Sequence, residues 1–426
     1  MSPAEPSLGP LTCAGCGCLC DDLELRAGEG GPPEPRGACA LGAEWLAARL
    51  EVAAPAARIG GREVGLEEAI GEAAEILGAA RLPLLYGLGE ASCEAQRAAV
   101  ALAEALGGAI DSAGALLDGP DGRAVAELGA STATIGDVRD RAELVVAWRV
   151  DPALTHPRLL ERLGLEREPR GRSGRGLVVV DAEPTATAAE ADAFIALPAG
   201  HDAEALWMLR ARARGLELEP AEALPATELD GLLERLRSVD NAAILHGAAL
   251  AGGGSAALPG SLALHSAVRE LGRLAHVVTL RLRGEGNAAG AEAVLAWQTG
   301  FPSAVSLAGG HPVSMPGELD AAGLLERREV DAAMVVGSDP LSHLPAGAAE
   351  GLRAVPSVTV DARETETAAG ARVAFTTAAA GLHVAATAHR MDGVPVPLPA
   401  PLPASRPSDV EVLEAIAARA RDGSRR

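Results

Sequence analysis

Two twelve-residue stretches, VDAEPTATAAEA (180–191) and VDARETETAAGA (360–371), align without gaps. They are one pair in a series that keeps its order along the chain. LVVAWRVDPALTHP (144–157) resembles MVVGSDPLSHLP (334–345), with Asp151-Pro152 matching Asp339-Pro340 and His156 near His343. LPLLYG (82–87) is echoed by NAAILHG (241–247). An ordered internal repeat makes the same supersecondary unit recur. Between the copies the pattern is strand, turn, helix. LEEAIGEAAEIL (66–77) and SCEAQRAAVALAEALG (92–107) have helical spacing, and AELVVAWRVDP (142–152) and GLVVVDAEP (176–184) read as buried strands running into turns. Alternating strands and helices at this spacing predict parallel sheets. The expected fold is therefore α/β, with a small Cys-rich N-terminal domain and two related Rossmann-like domains. The expected boundaries are 1–60, 61–240 and 241–392, then a Pro-rich tail with a short helix over 393–426. GAIDSAGALLDGPDG (108–122) reads as a loop.

In an open parallel sheet, ligands bind outside the carboxyl ends of the strands. Asp181 and Asp361 end strands and are candidates to accept hydrogen bonds from a nucleotide, and Thr185 and Thr365 to meet its phosphates. Asp and Thr after a strand equally serve as caps of the next helix. Neither repeat has GxGxxG, which disfavours a standard nicotinamide site.

Five of the six cysteines lie in the first tenth of the chain. Crowded thiols in a chain of 426 residues suggest a metal or iron–sulfur site rather than a disulfide framework. The spacing Cys13-x2-Cys16-x3-Cys20-x18-Cys39, with Cys18 as an extra thiol, suits a [4Fe–4S] cluster or a tetrahedral structural zinc. Cys93 stands alone. Charge narrows the partners. There are 58 acidic against 37 basic residues, a net charge of −21, and every basic residue is arginine. Nucleic acid and anionic membrane both need a positive footprint, so neither is an expected partner. Without lysine there is no Schiff-base or phosphate-loop chemistry. MSPAEPSLGP lacks a basic-then-apolar signal, so the expected compartment is the cytoplasm.

CAGCGCLCDDLEL (13–25) followed by GACALG (37–42) resembles the start of the B subunit of formylmethanofuran dehydrogenase, of the molybdopterin-dinucleotide oxidoreductases. The likeness continues through RGEGNAAGAE (283–292), WQTGFPSAVSLAGGHPVSMPGE (297–318), VDAAMVVGSDPLSH (330–343) and HRMDGVPV (389–396). It implies a cluster held by Cys13, Cys16, Cys20 and Cys39. It also implies strand-end loops that hold a molybdopterin or tungstopterin dinucleotide through Gly119, Pro120, Asp181, Thr185, Gly284, Asn287, Asp361 and Thr365. In the catalytic members a Cys-His-Gly-Pro motif supplies the metal ligand. The matching positions here are Leu117-Asp118-Gly119-Pro120. Leucine cannot ligate a metal, and Asp118 replaces the imidazole. The family's arginine matches Arg283, with Glu285 where a histidine is typical. Leu41 stands where a basic residue follows the last cysteine.

These departures resemble the B subunit of the bacterial formyltransferase/hydrolase complex. That likeness implies a non-redox structural subunit in tetrahydromethanopterin-linked one-carbon metabolism, without the pterin. Its partners would be an A subunit of amidohydrolase type, the C subunit, and a formyltransferase subunit. The alternatives are an active dehydrogenase subunit that interconverts carbon dioxide and formyl or formate, and a zinc-stabilised binding module.

Overall fold

A computed structural model describes residues 6–28, 31–50, 52–165, 175–219, 222–251 and 257–424; the side chains of Leu117 and Asp118 lie outside the described part. The chain forms two units. It leaves the first after residue 116, builds the second from 117–284, and returns to the first at 285.

The second unit is built on a sheet that is parallel throughout. Its order is Ala193–Ala196, Gly176–Asp181, Leu144–Trp148, Asn241–His246, His276–Arg281. Chain order reverses between Leu144–Trp148 and Asn241–His246, which makes that gap the topological switch point. Every residue of Leu144–Trp148 is buried, as expected for a strand covered on both faces. Val146, Trp148, Leu206, Leu233, Ile244 and Leu264 share one core.

The main sheet of the first unit has nine strands among the described residues. Five adjacent parallel strands form its centre: Ala109–Ser112, Pro83–Gly87, Ala332–Val336, Ser357–Asp361 and Val373–Thr376. Short antiparallel strands continue both edges. The helix Cys93–Leu106 follows from its sequence. Ser92 accepts the Ala95 N–H at 3.2 Å as cap, and Gly107, at φ +62°, ends it in a left-handed turn. Ala95, Ala99 and Ala103 on this helix are fully buried. A core with few aromatic residues is filled by letting alanine-faced helices approach closely.

The parallel α/β architecture agrees with the repeat, but the expected domain boundaries do not describe the structure. Pro83–Gly87 pairs with Ala332–Val336, and Leu144–Trp148 pairs with Asn241–His246, so both sheets cross the boundary placed at 240. The two halves are nested rather than consecutive. Periodicity reports that a segment is a strand, whereas the sheet it joins is decided by pairing across long sequence separations. Nor do 1–60 and 393–426 stand apart. Ser7–Cys13, Cys20–Arg26 and Glu34–Arg36 form an antiparallel sheet. It is joined to the C-terminal hairpin Ala386–His389/Pro395–Leu398 by Thr12 Oγ1 donating to Pro397 O (3.0 Å) and Met391 N–H donating to Gly17 O (2.9 Å). The tail helix, Asp409–Ser424, packs on Leu66–Ala79 and Cys93–Leu106, with Val412, Leu413 and Ile416 buried. The loop expected over 108–122 holds the strand Ala109–Ser112 and the start of the helix Ala115–Leu128, with Pro120 inside the helix. Among the described residues, no helix is long and apolar enough to cross a membrane.

Candidate functional site

The cysteine loop is a knuckle between two strands. Cys13 ends the first strand and Cys20 opens the second as its register partner. Between them Leu19 takes φ +40° and its N–H donates to Cys16 O at 3.2 Å, which folds Cys16 back toward the strand ends. Cys39 immediately precedes the helix Ala40–Leu50. Two glycines seat the thiols. A side chain on Gly42 would meet Cys13 Sγ at 3.1 Å and Cys39 Sγ at 3.9 Å. One on Gly15 would meet Leu41 O and Trp45 at 3.1 Å, and its N–H donates to Cys13 Sγ at 3.4 Å.

Burial above all, with the charges of Cys20, Cys16 and Cys39 adding to it and the Gly15 N–H bond opposing, pushes the Cys13 thiol up to about 12. The four cysteines whose spacing suggested a cluster thus bear on one another. Cys18 is buried at 1 % exposure. Among the described residues, no three His, Cys, Asp or Glu side chains are arranged to hold a single metal ion. A lone zinc needs four donors about 2.3 Å from one point. The spacing of Cys13, Cys16, Cys20 and Cys39 is what points to a cluster.

The candidate dinucleotide residues are engaged within the protein. Thr185 Oγ1 accepts the Ala188 N–H (3.2 Å) and Thr365 Oγ1 the Ala368 N–H (3.0 Å), so both cap helices. Asp181 accepts the Ala182 N–H (2.7 Å) and pairs with Arg149 at 3.4 Å. Asp361 accepts from the Arg363 backbone (2.8 Å) and guanidinium (3.2 Å). Asn287 Nδ2 donates to Ala91 O (2.7 Å) while its Oδ1 accepts the His389 N–H (2.7 Å). Gly119 and Pro120 lie in helix, Gly284 has open space around it, and the Arg283 carbonyl is bonded to His156 Nε2 at 2.8 Å. These bonds fix the strand-end loops, and a capping Thr hydroxyl keeps its own proton to donate.

The repeat has a physical purpose that sequence reading missed. Asp151 Oδ1 accepts Thr187 Oγ1 (2.5 Å) and its N–H (2.8 Å), and Asp339 Oδ1 accepts Thr367 Oγ1 (2.6 Å) and its N–H (3.0 Å). Each Asp-Pro turn thus holds the helix start that follows the next strand. The first thing after Pro120 is also a bound group. Asp121 accepts His265 Nε2 at 2.9 Å and pairs with Arg281 at 3.3 Å. Burial works to raise its carboxyl, yet the His265 bond and nearby His246 and Arg281 hold it below the carboxylate range. Burial pushes His246 down to about 4, so it is neutral at physiological pH.

Beside the knuckle is a second charged group, equally unseen in the sequence. Arg49 lies over the Trp45 ring at 4.8 Å and pairs with Glu90 at 2.6 Å. Arg363 pairs with Glu90 (2.8 Å) and Asp361 (3.2 Å). Asp409 faces the same water-sized cavity and accepts from Thr377 Oγ1. Three acids against two arginines leave one surplus negative charge. Burial pushes Asp409 up to about 7, despite the Thr377 bond, with Asp361 adding to the rise. An acid whose folded pKa lies above its unfolded value holds its proton longer in the folded state. Stability is therefore lost as pH rises from about 4 to about 7. Asp409→Asn should raise the melting temperature at pH 8, by about 1 kcal/mol or more of stability, and change little at pH 4. Thermal melts at both pH values check this; an equal effect at both would show that ionisation is not the cause.

Fold and site together define a class: a two-unit, doubly wound α/β protein with a four-cysteine knuckle beside its strand-end loops. No protein-family model matches the chain. The B subunit of tungsten-containing formylmethanofuran dehydrogenase 2 of Methanocaldococcus jannaschii is 33 % identical over 405 residues, spanning 91 % of this chain and 92 % of the relative. The protein of that name from Methanococcus maripaludis is 31 % identical over 427 residues, spanning 95 % and 97 %. The chain belongs to the family of formylmethanofuran dehydrogenase B subunits. Its fold matches a chain in the formyltransferase/hydrolase complex from Methylorubrum extorquens, solved with methylofuran, at a TM-score of 0.73 and 25 % identity, covering 87 % of this chain and 100 % of that one.

Proposed function

We propose that this chain is the non-redox, assembly-organising B subunit of a formyltransferase/hydrolase complex in tetrahydromethanopterin-linked one-carbon metabolism. The observation that carries this is Leu117, a side chain without a ligating atom at the position where the family's resemblance puts the metal ligand. The internal engagement of Asp181, Asp361, Thr185, Thr365 and Asn287 supports it, as does the likeness to a solved formyltransferase/hydrolase complex. The partners are an A subunit of amidohydrolase type, the C subunit, and a formyltransferase subunit, which carry the hydrolytic and transfer chemistry.

Cys13, Cys16, Cys20 and Cys39 would hold a [4Fe–4S] cluster, which supplies one-electron chemistry in general and here a cross-link for the knuckle. The chain's own residues support that role: burial keeps the metal-free Cys13 thiol protonated, and Gly15 and Gly42, having no side chains, leave space beside the Cys13 and Cys39 sulfurs. The four cysteines, and the 33 % and 31 % identity to subunits of tungsten-containing dehydrogenases, favour a working dehydrogenase. The two readings separate in one experiment on the complex purified with its partners. The proposal expects formate to be released from a formyl carrier and no reduction of an artificial electron acceptor by formate. Acceptor reduction at the rate of formate release would overturn it.

A further inference from the structure

The Pro-rich tail closes one side of a cavity of about 120 Å³ in the first unit, larger than one water fills. Another side is the carboxyl end of the parallel sheet. Ala362 follows Ser357–Asp361 and Thr377 follows Val373–Thr376, and an open parallel sheet takes its ligands beyond such strand ends. Arg49, from the last turn of Ala40–Leu50, joins His383, Ser405 and Arg406 in the polar lining. None of these four belongs to the positions that the family resemblance assigns to a dinucleotide. Among the described residues, no Asp or Glu lines the cavity.

Backbone bonds hold this frame. Ala378 N–H donates to Pro407 O (2.8 Å) and Leu402 N–H to Leu382 O (2.9 Å), which fastens the tail to the segment bearing His383. Arg406 Nη2 donates to Val52 O (2.8 Å) and Ala54 O (2.7 Å). Two carbonyls orient a guanidinium without neutralising it, and among the described residues no carboxylate pairs with Arg406. Its Nε and Nη1 keep their hydrogens for another acceptor. His383 Nδ1 accepts the Ala379 N–H (3.3 Å), so the ring carries its hydrogen on Nε2, a donor. Burial first, and then Arg406, lower the His383 pKa and so keep that neutral tautomer. Arg49 is already answered by Glu90 at 2.6 Å. Thr377 donates its hydroxyl hydrogen to Asp409, and the charges that bear on Asp409 are those of Asp361 and Arg49, not of Arg406.

Oriented donors with no acid beside them select an anion. A guanidinium suits the oxygens of carboxylate and phosphate, and in this chain it is the only basic side chain besides histidine. We propose that this cavity binds a small oxyanion, inorganic phosphate or a small carboxylate, through Arg406 and His383, with Ser405 at its exposed edge. The bound anion neutralises Arg406 and ties the tail to the strand ends. This site goes beyond the subunit role argued above and does not depend on it.

The test titrates the purified chain with inorganic phosphate and with sodium formate, each against sodium chloride at equal ionic strength. At least one probe should bind saturably with a Kd of about 1 mM or tighter, and the melting temperature should rise with its concentration. The probe that binds more tightly identifies the oxyanion as phosphate or carboxylate. Arg406→Gln should weaken binding about tenfold or more, the scale of a lost charge-assisted bond. Because Arg406 also holds Val52 and Ala54, Ser405→Asp is the second variant. It adds a negative charge at an exposed lining position, leaves the carbonyl clamp intact, and should weaken binding by a similar factor. Arg62→Gln removes the same charge from a side chain 73 % exposed, paired through Ile59 to the other end of Val373–Thr376, and should change nothing. No saturable binding of either probe, or a response that chloride reproduces, would overturn the proposal. So would wild-type affinity in Ser405→Asp.

Discussion

Asp202→Ala is expected to destabilise the second unit by about 3–5 kcal/mol, the cost of removing one partner from a buried ion pair. Asp202 Oδ1 accepts Arg149 Nε at 2.9 Å and Trp148 Nε1 at 2.8 Å, and both Arg149 and Asp202 are less than a tenth exposed. Arg149 also donates to Pro198 O (2.8 Å) and holds the strained φ of +53° that turns the chain out of the central strand. Without Asp202 the guanidinium keeps the Pro198 carbonyl and, as counter-charge, the 3.4 Å approach of Asp181. The site is beside the switch point, so the strand-end loops should loosen with it. Hydrogen exchange should show loss of protection at Leu144–Trp148 and Gly176–Asp181; protection unchanged from wild type would contradict the role given to the pair. Asp202→Asn, which keeps the bond to Trp148, should cost less.

The second large effect belongs to the cysteines. If the knuckle is cross-linked by a cluster, Cys16→Ala should lower the melting temperature of the first unit by about 10 °C or more, because a structural metal contributes folding free energy directly. The effect should spread to the C-terminal hairpin, which Thr12 and Met391 join to the knuckle, and spare the second unit. Cys93→Ala should be mild: Cys93 is buried and its sulfur meets the Asn287 side chain at long range, 3.6 Å to Nδ2 and 3.9 Å to Oδ1. Loading should also be steeply pH-dependent. With Cys13 at about 12 in the metal-free fold, ligation must displace its proton, so affinity should rise with pH. Spectroscopic titration between pH 6 and 8 checks the sign, and a flat response would mean that Cys13 is not a ligand.

Much of this was legible in the sequence, for reasons that differ from feature to feature. The strands at 83–87, 144–148 and 176–181 were visible because buried parallel strands are continuous apolar runs, closed in two of the three by Gly87 and Asp181. The repeat was visible because Asp151–Thr187 and Asp339–Thr367 need the same residues at the same spacing. The cysteine set was visible because ligand spacing is short-range. What was not legible depends on partners distant in sequence. Arg49, Glu90, Arg363 and Asp409 are scattered across more than 350 positions, and no local pattern marks them as one group. The nesting of the two units is of the same kind. Thr185 and Thr365 illustrate a different case: a hydroxyl after a strand was open to either a phosphate or the next helix, and the structure shows the helix-capping bonds.

The account turns on a chain that keeps its family's cysteines and has Leu117 at the metal-ligand position. Elemental analysis of the chain purified together with its partner subunits tests that most directly. The prediction is about four iron and four sulfide per chain, with tungsten and molybdenum at background. Tungsten or molybdenum at one per chain would contradict it, and would make this a redox subunit with a ligand other than residue 117.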